Sequence, residues 1–454
     1  MALIPALARG AEPKPLVVAS GYVVRKLPLP ADVLPSCMAV RPDGTLMIGS
    51  MDGDVLSVVD SDGDGTLDRY RRWAGTLPHW PLGLRAEGSD LLIATRSALL
   101  RLSDPDGDGW AERWRTLSDA WDVSRDHHDW TTGIAPWPGG GWVVCPVTDD
   151  VRERTILGRH YLRGKAVRVT ETGETTVLAE GLRYPTGWAA RPVDGAVFFT
   201  DNQGQQKTTC EINQLVPGGW YGYRSQADTA EAGRPVVPPV VRIPYPWARS
   251  VNGLEFAHTG GAFGPLEDQL ILCEYNNRFV LRASLDEVDG HTQGACYPFL
   301  ERLLGPLCAA FGRDGALYVG SLREPAWGAE PEQGAIFRVT YSGTPTFGIR
   351  DVKARPDGFA LRFFTPVSPE KATDPRRYLV RRYHHVFQGA YHSPPTDEEP
   401  LHVASATVLE DGCTVLLTLR EPWLGDRIYE LRTTLPHASP DTAHYTMNYA
   451  PKRR

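Results

Sequence analysis

The stretch SRDHHDWTTGIAPW, residues 124–137, sets His127 and His128 beside Asp129 and Trp130, directly ahead of a glycine and a short apolar run. A neutral imidazole near its working pH can take a hydroxyl proton, and an adjacent carboxylate raises its basicity. Arg183, in GLRYPTG, is a fixed cation able to hold a carboxylate in a bidentate fork. Trp80, Trp130 and Tyr184 offer flat faces for a ring. Together these residues suit proton removal from a small hydroxylated molecule, with His128 as the base, Asp129 as its acid neighbour and Arg183 orienting a cofactor or substrate. His79 is the rival base, and a lone histidine is as often a hydrogen-bonded structural residue.

Two acidic loops carry a different chemistry. DSDGDGTLD (60–68) and DPDGDGWAE (104–112) share the spacing D-x-D-x-D-G-x-x-[D/E]. That spacing aims Asp60, Asp62, Asp64 and Asp68, and likewise Asp104, Asp106, Asp108 and Glu112, at one centre, as in a calcium loop. Position 12 holds Arg71 and Arg115 where an EF-hand has glutamate, so the expected ion is structural. The alternative is a merely solvated acidic turn. Further oxygen donors cluster in FTDNQGQQKTTCEINQ, with Asp201, Asn202, Gln203, Glu211 and Asn213, and in CEYNNRF, with Glu274, Asn276 and Asn277. Such amides and acids also commonly satisfy backbone groups.

Scattered residues of this kind need a scaffold that gathers them, and the sequence has one. A unit of polar lead, apolar run, glycine turn and β-branched run recurs as SCMAVRPDGTLMIGS, PLGLRAEGSDLLIAT, TTGIAPWPGGGWVVCP, PTGWAARPVDGAVFFTD, VNGLEFAHTGGAFGPLEDQLILCEY and PLCAAFGRDGALYVGS. With 45 Gly, 38 Pro and no long helical periodicity in 454 residues, the chain reads as all-β. Six such copies predict a six-bladed β-propeller over residues 15–345, with a two-sheet sandwich as the alternative. The segment PLVVASGYVVRKL is expected to complete the last blade beside GAIFRVTYSG. In a propeller the leads into the inner strands converge on one channel mouth, which gathers Trp80, His127 to Trp130, Arg183, Tyr184 and Arg249 to Asn252. Residues 346–454, with short alternating segments such as DGFALRFF and CTVLLTL, read as a small Ig-like β-sandwich. The ring is expected to fold without it.

The formal charge of -7 is spread without basic runs, which argues against nucleic acid as a partner and points to a small neutral molecule. No apolar window approaches a membrane span. Seven cysteines form no CxxC pair, and Cys145 and Cys308 read as small buried hydrophobes.

On HDWTTG, RYPTG, TDNQG and the segment CEINQLVPGGWYGY, the chain resembles the glucose/sorbosone dehydrogenase-like propellers, closest to the sorbosone-dehydrogenase-like branch, over roughly residues 15–345. The resemblance implies pyrroloquinoline quinone and calcium as cofactors, a carbohydrate substrate, and a periplasmic or secreted location. It implies that His128 takes the proton of the sugar C1 hydroxyl and that Arg183 contacts the quinone, in a pocket shared with Tyr184, Trp130, Asn252, Asn276 and Asn277. The carbonyls of Gly204 and Gln205 would face a catalytic calcium, and Glu211 a structural one. The tail from 346 resembles the Ig-like module attached in that branch, a possible docking domain. The chain differs at Tyr184, where the family's quinone binders carry asparagine. It also has LLGPLCAA where they carry an arginine pair, and Asn276 or Asn277 where they carry lysine, which predicts a weakened cationic clamp.

Three functions stay open at this point: a quinoprotein-like sugar or polyol dehydrogenase, a calcium-dependent propeller hydrolase, lactonase or lyase using Asp201, Asn202, Asn252 and Glu274, and a non-catalytic glycan-binding protein.

Overall fold

The computed structural model describes residues 15–452 except 65, 79, 122, 124–128, 149–161, 225–232, 324–332, 390 and 437–440. The chain is nearly all β, and Pro369–Ala372 is the single α-helical turn among the described residues. Six strands each open a sheet: β1 (Pro35–Val40), β2 (Gly83–Glu87), β3 (Thr131–Pro136), β4 (Trp188–Ala190), β5 (Val251–Phe256) and β6 (Pro306–Phe311). Each is followed by antiparallel neighbours in sequence order, giving four-stranded units. The repeated turn is a tight hairpin; in the first copy Thr45 N–H bonds Asp43 Oδ1 at 2.9 Å and Gly44 has φ +95°.

The opening strands touch in order, β1 to β2 and onward to β6, and β6 touches β1, so they line a closed ring. This is the arrangement of a β-propeller. Apolar faces of successive sheets pack between them, for example Met47 and Trp73 against Leu91 and Ile93. Glycine is required where inner strands meet: a methyl group on Gly83 would overlap the Gly133 carbonyl, and one on Gly187 the Asn252 carbonyl. The strand Tyr22–Leu27 pairs with Gln333–Tyr341 and completes the sixth unit, as its alternating pattern predicts.

The sheet opened by β5 does not stop at four strands. Its outer strand His291–Glu301 pairs with Thr442–Met447, and through it with the tail strands Arg427–Thr433 and Tyr378–His385. Pro395–Leu401 extends the same sheet beyond Tyr378–His385, and the other tail strands form a second sheet over Ile349–Arg355, Gly358–Phe363, Thr414–Leu419 and Val403–Val408. Ala295 and Tyr297 belong to the same apolar cluster as tail residues Phe359, Leu417 and Tyr445. The tail is therefore hydrogen-bonded and packed into the ring.

Candidate functional site at the strand starts

The leads into the six inner strands converge at one end of the ring, where Ser36, Trp130, Thr186, Asn252 and Leu307 border a narrow cavity of about 80 Å³. Three of these leads are pinned by a polar side chain at the end of their sheet's second strand. Asp201 accepts the backbone N–H of Arg183 at 3.1 Å and of Tyr184 at 2.7 Å. Glu274 accepts those of Arg249 at 2.9 Å and Ser250 at 2.8 Å, and Ser50 Oγ that of Leu34 at 3.0 Å. Burial lifts the Glu274 carboxyl above its usual range while these N–H groups, with those of Asn276 and Asn277, pull it back.

Above the leads runs a row of aromatic rings. Trp80 and Trp130 lie 6.3 Å apart, and Trp130 meets Tyr184 edge-on at 5.9 Å. The Arg183 guanidinium lies between two rings, 5.2 Å from Tyr184 and 5.4 Å from Tyr391, and donates to Tyr391 Oη at 2.8 Å and to the Gln203 carbonyl at 3.0 Å. The three aromatic platforms and Arg183 are thus brought together as the repeat predicts. His79, His127 and His128 lie outside the described residues. Asp129 is fully buried, 3.4 Å from Arg163 Nε and 3.9 Å from Arg96 Nη2, and Arg163 also donates to the Trp130 carbonyl at 3.2 Å. Asp129 and Trp130 are therefore tied to Arg163, with Arg96 beyond.

Asn252 is buried and donates to the Ser250 carbonyl at 2.8 Å, and Asn277 donates to the carbonyls of Tyr245 at 3.0 Å and Pro246 at 3.1 Å. Asn276 shapes the same turn through its N–H to Glu274. Of the donors that a channel-cation hydrolase would use, Asp201 and Glu274 accept backbone N–H groups of the chain, while Asn202 donates from Nδ2 to the Tyr184 carbonyl at 3.2 Å.

The calcium position implied at Glu211 is a correction. Lys207 Nζ lies 2.9 Å from Glu211 and 3.5 Å from Asp201, so an ammonium of the chain fills that space. Burial opposes the charge, but Glu211 and Asp201 outweigh it and hold Lys207 above its ordinary value. Gly204 and Gln205 form the turn ahead of it, with the Gly204 carbonyl accepting Lys207 N–H at 3.2 Å. Replacing Lys207 by methionine leaves two buried acids uncompensated and is expected to cost about 3 to 5 kcal/mol. Urea unfolding measures this, and an unchanged midpoint would refute it.

In the acidic loops, Asp60, Asp62 and Asp64 bring carboxylate oxygens within 4.8 Å of one another, as do Asp104, Asp106 and Asp108. The acid at position nine of each loop does not join them. Asp68 instead accepts from Ser61 N–H at 2.9 Å and Ser61 Oγ at 2.7 Å, and Glu112 stands outside the second cluster. Arg71 rests against Gly109, so the two loops are neighbours.

Sequence reasoning missed one group. Tyr391 and His392 come from the tail: His392 N–H donates to Gln203 Oε1 at 3.0 Å and its ring stacks on Tyr245 at 3.7 Å. Nothing local in the sequence signals this contact across the fold. The lead into β6 is held by an arginine. Arg278 donates from Nε to the carbonyls of Leu303 at 2.8 Å and Leu304 at 3.2 Å, and burial and repulsion from Arg323 pull it below its ordinary value. Arg278 of CEYNNRF thus stands at the lead into β6, beside LLGPLCAA.

A family profile described as a domain of unknown function, DUF7133, matches residues 38–320. No curated protein sequence matches the chain. Among solved structures, one described as an oxidoreductase (glucose dehydrogenase) from Thermus thermophilus is similar at 21% identity and TM-score 0.55, over 70% of this chain and 100% of that one. The calcium structure of a Trichoderma reesei enzyme of carbohydrate-active family AA12 matches at 14% and 0.56, over 72% and 97%. The PQQ domain of pyranose dehydrogenase from Coprinopsis cinerea matches at 13% and 0.54, over 72% and 97%. At these identities the likeness is one of fold.

Proposed function

The chain belongs to the DUF7133 family, and we propose that it is a quinoprotein-like oxidoreductase acting on a sugar or related polyol at the mouth formed by the strand leads. The carrying observation is the row Trp80, Trp130 and Tyr184 beside a rim that bears Arg183, Arg278 and Arg323. Flat rings next to several guanidinium groups suit a planar, multiply carboxylated partner. In this reading residues 15–345 form a six-bladed propeller of the sorbosone-dehydrogenase-like kind and residues 346–454 an Ig-like sandwich. Pyrroloquinoline quinone, when bound, supplies the two-electron acceptor.

The chain's own residues do the rest. Arg183, held between Tyr184 and Tyr391, orients a carboxylate. Trp80 and Trp130 would offer the apolar surface against which such a ring packs. Asp129, fixed by Arg96 and Arg163, sets the position of the lead from which His128 takes the hydroxyl proton. Calcium belongs to this reading at Asp60, Asp62 and Asp64 and at Asp104, Asp106 and Asp108, and facing the carbonyls of Gly204 and Gln205.

The test is titration of the full chain with the quinone in calcium buffer, followed by absorbance. Stoichiometric binding, weakened at least tenfold in Arg183→Met, is expected. Sugar binding without quinone affinity would overturn the oxidative reading in favour of glycan recognition. Calcium is tested separately: saturating ion at about a hundred times its Kd stabilises by about 2.7 kcal/mol per site and should raise the melting temperature. Identical melting curves in calcium and chelator would remove the two loops from the proposal.

A further inference from the structure

The opposite end of the ring opens into a much larger cavity, about 620 Å³, lined by the second halves of the inner strands. The repeat places one residue per strand in each layer of this cavity. Two positions beyond the strand-crossing glycine or cysteine stand Ala39, Arg85, Ala135, Ala189, Glu255 and Ala310, all in the wall. Four copies carry the smallest side chain with a Cβ, and the two charged residues sit on β2 and β5. In a closed ring of six these strands face each other across the channel. Opposite charges placed there could have closed an ion pair, yet they do not. Arg85 Nε turns along its own strand to Glu87 at 2.6 Å, and Glu87 also accepts Trp142 Nε1 at 3.0 Å. The Glu255 carboxyl makes no hydrogen bond or ion pair among the described residues. The alanines leave the space between them open.

The other charged groups of the wall are compensated. Arg191 is paired with Asp194 at 2.6 Å and Glu287 at 3.5 Å, and His258 with Asp268 at 3.1 Å. Cys273 lies behind Glu255 on the paired strand, and burial pushes its thiol up, as it does those of Cys37 and Cys308 on β1 and β6. None of these groups supplies a positive partner for Glu255. Burial lifts the Glu255 carboxyl to about 8, with the distant Arg85 pulling the other way. At neutral pH the layer then presents a carboxylic acid O–H and a guanidinium to the same open space. That pair donates to an anion from both sides.

We infer that the cavity between Arg85 and Glu255 is a binding site for a small organic carboxylate, in the same channel as the mouth at the strand starts but toward its other end. The protonated acid is the binding form, so affinity is full below the Glu255 midpoint and falls as pH rises through it, when a second negative charge faces the ligand. Calorimetric titration of the full chain with sodium gluconate tests this, with glucose as the uncharged counterpart. Gluconate should bind and glucose should not, and gluconate affinity should drop about thirtyfold from pH 7 to pH 9.5. Glu255→Gln keeps a donor without the titration and should bind with a flat profile over that range. Arg85→Met should abolish binding with an unchanged melting temperature. Equal binding of glucose, survival of binding in Arg85→Met, an undiminished pH slope in Glu255→Gln, or no binding of gluconate would each overturn the assignment.

Discussion

A chain ending at residue 345 is expected to aggregate rather than to fold as a free ring. The outer strand His291–Glu301 would lose its partner Thr442–Met447 and present bare N–H and C=O groups, with Ala295 and Tyr297 uncovered. The fully buried Arg282 would lose its acceptors, the carbonyl of Arg350 at 2.7 Å and that of Ile349, together with the Phe364 ring over its guanidinium. Asp286 would lose Tyr445 Oη at 2.7 Å and Ala354 N–H at 2.8 Å, and Gln293 the N–H groups of Asn448 and Tyr449. Breaking one buried charged set costs about 3 to 5 kcal/mol, and a whole domain is stable by only about 5 to 15. Size-exclusion chromatography and thermal unfolding of residues 15–345 decide the matter. A monomer melting cooperatively near the temperature of the full chain would show that the tail is an accessory, which the sequence alone predicts.

Under the proposed oxidation, His128→Ala should lose about 10²- to 10⁴-fold in sugar-dependent dye reduction, because a general base contributes on that scale. This corresponds to about 3 to 5 kcal/mol of transition-state stabilisation. His127→Ala should be far milder, since in the proposed reaction His128 alone is the base. Asp129→Asn should act differently from both. Its carboxylate sits against Arg163 and Arg96, so the substitution should lower stability and activity together rather than shift the pH profile of the histidine. Equal turnover by the parent chain and His128→Ala, each loaded with calcium and quinone, would take the histidine out of the reaction.

The closed ring was legible because its signal is periodic. Each copy repeats the same lead, glycine and apolar run, and the glycines recur because inner strands meet too closely for a Cβ. Trp80, Trp130, Tyr184 and Arg183 followed from that register alone. What stayed hidden depends on contacts without a period. Lys207 reads as one polar loop residue among several, and only the fold shows it lodged between Asp201 and Glu211. Tyr391 is more than two hundred positions from the Arg183 it touches. The opposition of Arg85 and Glu255 was printed in the repeat, but it becomes visible only once β2 and β5 are known to face each other.

The pairing of Tyr22–Leu27 with Gln333–Tyr341 also sets a clock. At about 5 to 20 residues per second of synthesis, the early strand emerges about 15 to 60 seconds before its partner exists. Throughout that interval it is an unpaired apolar edge in a crowded cell. Its sequence, YVVRKL, places Arg25 and Lys26 in the middle of the strand, where two adjacent positive charges discourage pairing with other nascent chains. The strand that closes the ring thus carries its own safeguard for the time it must wait.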